Sequence, residues 1–198
     1  MSNIKNNKPV VFMITGVARA GKDTFAACLM DHLARNGDRC EVFKFADVLK
    51  DRANEVLKEM GVFKADERDF HAEEFKVANR GFLVELGRTL RSIDKDIFAR
   101  HLNAQVHSFF DYAPLGVRPI ALVSDWRYLN EYSFLATHID ARFVTVEMQR
   151  PGYGPANEEE EWSLKDMMGS MPILHTRSAI DPAGVQAIAS EIAHLYRL

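Results

Sequence analysis

The sequence predicts an α/β fold built in three layers, with a central parallel sheet covered by helices on both faces. Two observations carry this expectation. Apolar runs of strand length alternate along the chain with segments whose apolar residues recur at helical spacing, the pattern of successive strand–crossover–strand units. The first such run, Val10 to Thr15, also feeds a glycine-rich turn, "GVARAGKDT" (Gly16 to Thr24), that opens into a helix. At 198 residues and 47% hydrophobic content the chain is long enough for one well-buried domain with a small insertion, and short for two. A single domain over residues 1–198 is expected.

Each element follows from its own residues. After the first strand, Phe25, Cys28, Leu29 and Leu33 mark a helix that Asn36-Gly37 stops. Cys40 to Ala46 alternates as a strand, and Val48, Leu49, Ala53, Val56, Leu57 and Met60 trace a helix closed by Gly61. Residues 61–80 carry many charges and weak periodicity, so they read as a surface insertion. Phe82, Leu83, Leu86 and Leu90 form one helical stripe. Ile97, Phe98, His101, Leu102, Gln105, Val106 and Phe109 form another, with Asp94 or Asp96 as its cap and His101 as a packed histidine. Ile120 to Val123 is a strand ending at "SDWR", a helix follows from Asn130, and Ala141 to Met148 is the next strand. Residues 150–171 break the alternation with Pro, Gly and an acidic run, Glu158 to Glu161, that reads as a solvated face. Ile173 to Thr176 is a last short strand, and Pro182 to Tyr196 a closing helix.

Composition narrows the function classes. A net charge of −3 and a pI near 6.2 supply no broad cationic field, so neither nucleic acid nor an anionic membrane is an expected partner. Cys28 and Cys40 lack metal-ligand spacing and suit a reducing compartment. The polar start "MSNIKNNK" and the short apolar run after it lead to the expectation of a soluble cytoplasmic protein.

The turn between the first strand and helix is where chemistry becomes specific. In Gly16-x-x-x-x-Gly21-Lys22 the glycines let successive backbone N–H groups converge on phosphate oxygens, and the helix N-terminus adds partial positive charge. Lys22 then reaches the β- and γ-phosphates. Asp23 stands where a hydroxyl residue normally meets the metal ion. Its carboxylate can hold Mg²⁺ or the ion's water shell, or accept from free N–H groups of the first helical turn, while Thr24 offers a hydroxyl one residue later. Because phosphate repels an uncompensated carboxylate, a cation, either Mg²⁺ or an arginine, is expected beside Asp23.

"GVARAGKDT", "FADVLKD" (Phe45 to Asp51), "GRTLRSIDKDIFARHL" (Gly87 to Leu102), "SDWRYLNE" (Ser124 to Glu131) and "RPG" (Arg150 to Gly152) together resemble the deoxynucleoside monophosphate kinases of tailed bacteriophages. The likeness spans most of the chain in the right order. It implies the nucleoside-monophosphate-kinase version of the P-loop fold, with a monophosphate-binding region at about 45–110 and a lid at about 150–171. It further implies ATP and Mg²⁺ as cofactors, small nucleotides as substrates, a bacterial or phage-infected host cell, and a monomer or homodimer. The family's loop commonly reads GKDT, so Asp23 resembles a family trait. Similar "GKD" loops occur in animal-type phosphomevalonate kinases, and dephospho-coenzyme A kinases share the architecture. Many such kinases place arginines in the lid, whereas this chain has none between Arg150 and Arg177.

Phosphoryl transfer needs cations around the moving group and two phosphorylated ligands held in line. On the resemblance, Gly16, Arg19, Ala20, Gly21, Lys22, Asp23, Thr24 and Arg150 are expected to hold ATP, and Asp23, Thr24 and Asp125 the metal. Arg88 and Arg91 stand at i, i+3, a spacing that suits a forked phosphate clamp on one helical face. Asp125 and Arg127 follow a buried strand at the edge where open α/β sheets bind ligands, Asp125 to position Mg²⁺ through water and Arg127 to grip the acceptor phosphate. Lys50 faces the monophosphate pocket or snorkels to the surface. Trp126 and Tyr128 are candidates to stack on a base, and Phe45 a core residue. Lys22, Asp23, Asp125 and Arg127 form the expected catalytic set. The expected reaction is ATP-dependent phosphorylation of a deoxynucleoside monophosphate. A kinase of another phosphorylated metabolite and a P-loop regulator without catalysis stand as alternatives, although the base-specifying N-K-x-D of GTPase switches is absent.

Overall fold

In the computed structural model, residues 8–62, 69–155, 158–170 and 173–196 are described. Residues 1–7 of the polar start, 63–68 of the expected insertion, and 156, 157 and 171 of the lid-like stretch lie outside them. The elements run β1 (Val10–Thr15), α1 (Lys22–Arg35), β2 (Arg39–Phe43), α2 (Phe45–Glu59), α3 (Glu73–Ala78), α4 (Arg80–Ile93) and α5 (Ile97–Asp111). They continue with β3 (Pro119–Val123), α6 (Leu129–His138), β4 (Arg142–Gln149), α7 (Glu158–Ser170), β5 (His175–Ser178) and α8 (Pro182–Leu195).

The five strands form one sheet in the order β2-β3-β1-β4-β5, every neighbouring pair parallel. This is the three-layer α/β fold that the alternation predicts. β1 lies in the middle, with Phe12 opposite Leu122 on one side and Val144 on the other, and all six of its residues are buried. Burial on both faces explains why β1 reads as an unbroken apolar run. Val10, Phe12 and Ile14 pack into the layer of α1 and α8, with Phe25, Leu29, Leu33, Val185 and Ile192. Val11 and Met13 pack into the opposite layer, with Phe98, Leu102, Val106, Trp126 and Leu135.

Four boundaries or environments depart from the sequence reading. β2 ends at Phe43 rather than Ala46, because the Asp125 carboxylate accepts from the backbone N–H groups of Phe45 (2.8 Å) and Ala46 (2.8 Å) and turns that stretch into the start of α2. The described part of residues 61–80 is not only surface, since Phe70 is fully buried with Ala53 and Leu83 and stacks on Phe82 at 5.7 Å. The lid-like stretch forms a regular helix, α7, anchored by buried Met167 and half-buried Leu164 in the layer that holds α6. β5 begins two residues late, at His175, because the Leu174 N–H donates to Thr145 Oγ1 (2.9 Å) and Ile173 packs inward. Among the described residues no helix is long and apolar enough to cross a membrane.

Candidate active site

At the carboxyl edge of the sheet the chain turns from each strand into its next element, and most of the expected site residues meet there. The loop after β1 departs from ordinary backbone at Gly16 (φ 134°), Arg19 (φ 64°) and Gly21 (φ 91°). Gly16 is dictated by a close approach: a Cβ there would lie 2.1 Å from the Met148 carbonyl oxygen on β4. The loop closes with the Ala20 N–H donating to the Val17 carbonyl (3.2 Å), and α1 starts with the Phe25 N–H donating to the Gly21 carbonyl (2.8 Å).

Lys22 folds its ammonium back into this loop, donating to the carbonyls of Gly16 (2.6 Å) and Val17 (2.8 Å). Burial and the neighbouring Arg127 guanidinium lower its pKa, while Glu160, Asp23 and Asp125 oppose them. The charges of Arg127, Asp23, Asp125 and Glu160 are therefore all felt at Lys22. Glu160 reaches it from α7 and is half-buried, which corrects the reading of Glu158 to Glu161 as a wholly solvated face.

The side-chain cation that the fold places beside Asp23 is a lysine rather than an arginine. Lys44, the N-cap residue of α2, places its Nζ 2.7 Å from Asp23 Oδ1. Burial lowers the Lys44 pKa, but the hydrogen bond to Asp23 and the charges of Asp23, Asp47 and Asp125 outweigh it, so the net shift is upward and the amine stays charged. Asp125 is raised by burial, against the two backbone N–H groups it accepts and the nearby Arg127. It is thus first a cap on α2.

Arg127 is exposed, and its backbone is held from two sides. Its N–H donates to Glu131 Oε2 (3.0 Å), as does that of Tyr128 (3.1 Å), and its carbonyl accepts from the Ser163 hydroxyl of α7. Glu131 is buried, and burial pushes its pKa up to about 7. Its other oxygen lies 4.0 Å from an Arg91 nitrogen. The Arg91 guanidinium is sandwiched between the rings of Phe98 and Tyr128, 4.7 Å from each centroid.

The remaining expected residues scatter. Arg88 is exposed and pairs with Glu85 (3.0 Å), so it is not gathered with Arg91 between Phe98 and Tyr128. Lys50 is engaged by Asp47 (2.6 Å) on the same helix, and Arg150 stacks over Tyr153 at 4.7 Å. Thr24 is exposed beside Asp23. Trp126 corrects the base-stacking expectation: it is fully buried, and its Nε1 donates to the Tyr128 carbonyl (2.8 Å), so its ring offers no face to a ligand. Tyr128 is covered on one side by Arg91. Phe45 is in the core as expected.

Sequence reasoning missed Lys44 and Glu131. Lys44 had a signal in the charge that Asp23 demands but none in its place along the chain, because it follows β2, which β3 separates from β1. Glu131 had one in its place at the third helical position, where a carboxylate accepts from the residues before the helix.

The cradle fits a polyphosphate: the glycine admits no side chain, and the lysine ammonium sits inside the turn. For Mg²⁺ the described residues contain no cluster of three or more His, Cys, Asp or Glu that could enclose an ion. The donors fit an ion held largely by water and substrate phosphates with one or two carboxylates from the protein.

No protein-family model and no curated protein matches the sequence. Among solved structures, a mutant of the APS kinase CysC from Mycobacterium tuberculosis aligns over 96% of this chain and 99% of its own, with a TM-score of 0.50 and 12% identity. A sugar kinase from Janibacter sp. aligns over 96% of this chain and 94% of its own, with a TM-score of 0.45 and 14% identity. The first likeness shows the fold alone, a central parallel sheet flanked by helices.

Proposed function

We propose that this chain is an ATP-dependent kinase that transfers a phosphoryl group to a nucleoside monophosphate, a deoxynucleotide in preference to a ribonucleotide. One observation carries the reading: the Lys22 ammonium lies inside the Gly16–Gly21 turn, donating to the Gly16 and Val17 carbonyls, with Arg127 and Asp125 following β3, the neighbour of β1, at the same sheet edge and within electrostatic reach of it. That is the arrangement in which a donor phosphate held by the loop faces cations able to hold a second phosphorylated ligand.

In this reading the loop from Gly16 to Thr24 binds ATP through backbone N–H groups, and Lys22 exchanges the Gly16 and Val17 carbonyls for phosphate oxygens. Arg150, at the end of β4, supports the donor. Mg²⁺ neutralises phosphate charge when bound, with Thr24, Asp23 and Asp125 as the chain's contributions, Asp125 through water. Arg127 and Arg91 hold the acceptor phosphate, Arg91 pre-aimed by its two ring partners. Lys50 and Arg88 reach the acceptor only by leaving Asp47 and Glu85. Residues 45–110 supply the acceptor side, and α7 covers the site as the lid, with Glu160 beside Lys22. A pocket shaped for deoxyribose leaves a ribose 2′-hydroxyl desolvated without a partner, at about 1–3 kcal/mol. The partners are small nucleotides, and the setting is a bacterial or phage-infected cytoplasm.

The test is ADP formation from ATP and Mg²⁺ by the purified chain, with and without nucleoside monophosphates. The reading expects ADP only when an acceptor is present. Equal ADP release without any acceptor would instead mark a nucleotide hydrolase or switch.

A further inference from the structure

We propose that Lys44 is the built-in counter-charge of the phosphate loop, neutralising Asp23 so that the loop accepts a polyphosphate although its helix begins with a carboxylate. The inference rests on the phosphate-loop reading above.

The placement is specific. β2 and β1 are separated in the sheet by β3, so Lys44, at the end of β2, must reach across the end of β3 to touch Asp23 on α1. What holds it there is the capping of α2. The Asp125 carboxylate, from the end of β3, fixes the N–H groups of Phe45 and Ala46, the two residues after Lys44. With the stem of Lys44 pinned at the N-cap, its head lies 2.7 Å from Asp23 Oδ1. The lysine is 32% exposed, whereas Asp23 is 75% exposed, so the ammonium is the more sheltered partner and the carboxylate the more open to solvent.

As a contribution to stability such a partly exposed pair is worth little. Its value is electrostatic and appears when an anion arrives. Removing Lys44 leaves a bare carboxylate one residue from Lys22, which then repels phosphate and competes for the Lys22 ammonium. With Lys44 in place, Lys22 donates to the loop carbonyls of Gly16 and Val17 and remains available to the phosphates. The pair thus does the work that a neutral hydroxyl after the lysine performs in the commoner form of this loop.

A charge-relief cycle tests this. Binding of metal-free ADP, with Mg²⁺ chelated so that no ion contact of Asp23 enters, is measured by calorimetry at low salt for wild type, Lys44→Met, Asp23→Asn and the double variant, with thermal melts to confirm folding. Lys44→Met should weaken ADP by about tenfold, the order expected for one uncompensated charge near a partly solvated anion. Asp23→Asn in the same chain should restore affinity to within about threefold of wild type. Lys44→Arg, which keeps the charge, should bind as wild type does and serves if Lys44→Met fails to fold. Unchanged binding by Lys44→Met overturns the inference. So does a double variant as weak as Lys44→Met, because the lysine would then act on phosphate itself. Failure of wild type to bind ADP removes the phosphate-loop reading, and this inference with it, a result distinct from failure of the Lys44 step alone.

Discussion

Replacing Gly16 with alanine should destabilise the whole domain before any question of catalysis arises. The added Cβ would lie 2.1 Å from the Met148 carbonyl oxygen and 3.1 Å from its carbonyl carbon, both backbone atoms of a strand paired with β1 along its whole length. Ordinary contact would require a shift of about 1 Å between β1 and β4, in a layer packed like a crystal. Such overpacking costs about 1–3 kcal/mol. Gly16 also sits at φ 134°, where a side chain adds strain of about 1–3 kcal/mol. The sum, about 2–6 kcal/mol, corresponds to a fall in melting temperature of roughly 4–24 °C for a chain of this size. Thermal unfolding without nucleotide reads it directly. Gly81→Ala is the control, because a Cβ there meets nothing within 4 Å and φ is ordinary, so that variant, on helix α4, should melt at or slightly above wild type. A Gly16→Ala protein melting within about 1 °C of wild type would refute the close approach from which the cradle is argued.

Lys22→Ala should lower turnover by about 10²-fold or more with a smaller loss of ATP binding, since backbone amides still hold the nucleotide; a folded variant with near-normal turnover contradicts the role. Arg127→Ala should raise the acceptor's Michaelis constant or lower turnover while ATP affinity changes little, and an equal loss of ATP affinity would move Arg127 to the donor side. Glu131 governs a pH effect on stability. Its folded pKa of about 7 lies above its ordinary 4.5, so the folded chain binds more protons between those values and stability falls as pH rises through them, by about 3 kcal/mol in all. Glu131→Gln should remove that component, so denaturant unfolding of wild type and variant should diverge across the window. Parallel curves would show that Glu131 titrates normally.

Much of this molecule is legible along the chain because its strongest signals are local. β1, β3 and β4 are buried on both faces and read as apolar runs, and α1, α5 and α8 carry stripes that match most of the residues they bury, with Gln105 of α5 and Leu195 of α8, both expected inward, exposed instead. The turn from Gly16 to Gly21 is legible for the same reason, since its glycines answer to a fixed backbone path. What sequence did not yield depends on contacts distant in the chain. The end of β2 is set by Asp125, eighty positions beyond Phe45. Trp126 looked like a ligand platform because it neighbours Asp125 and Arg127, yet successive residues after a strand point to opposite sides, and its indole turns into the core. Arg88 and Arg91 share a helical spacing, but only Arg91 meets the aromatic pair that aims it. Asp23 advertised a missing cation whose identity, Lys44, is fixed by sheet order rather than by proximity in sequence.

The central claim, phosphoryl transfer from ATP to a deoxynucleoside monophosphate, is tested most directly by a panel of acceptors. Purified protein with ATP and Mg²⁺ is offered each deoxynucleoside monophosphate, its ribo counterpart, phosphomevalonate and dephospho-coenzyme A, and the phosphorylated products are separated and counted. The account predicts that at least one deoxynucleoside monophosphate becomes its diphosphate, roughly tenfold or more faster than the matching ribonucleotide. Phosphorylation of phosphomevalonate or dephospho-coenzyme A, with no deoxynucleoside diphosphate formed, would contradict the substrate claim and leave only the fold standing.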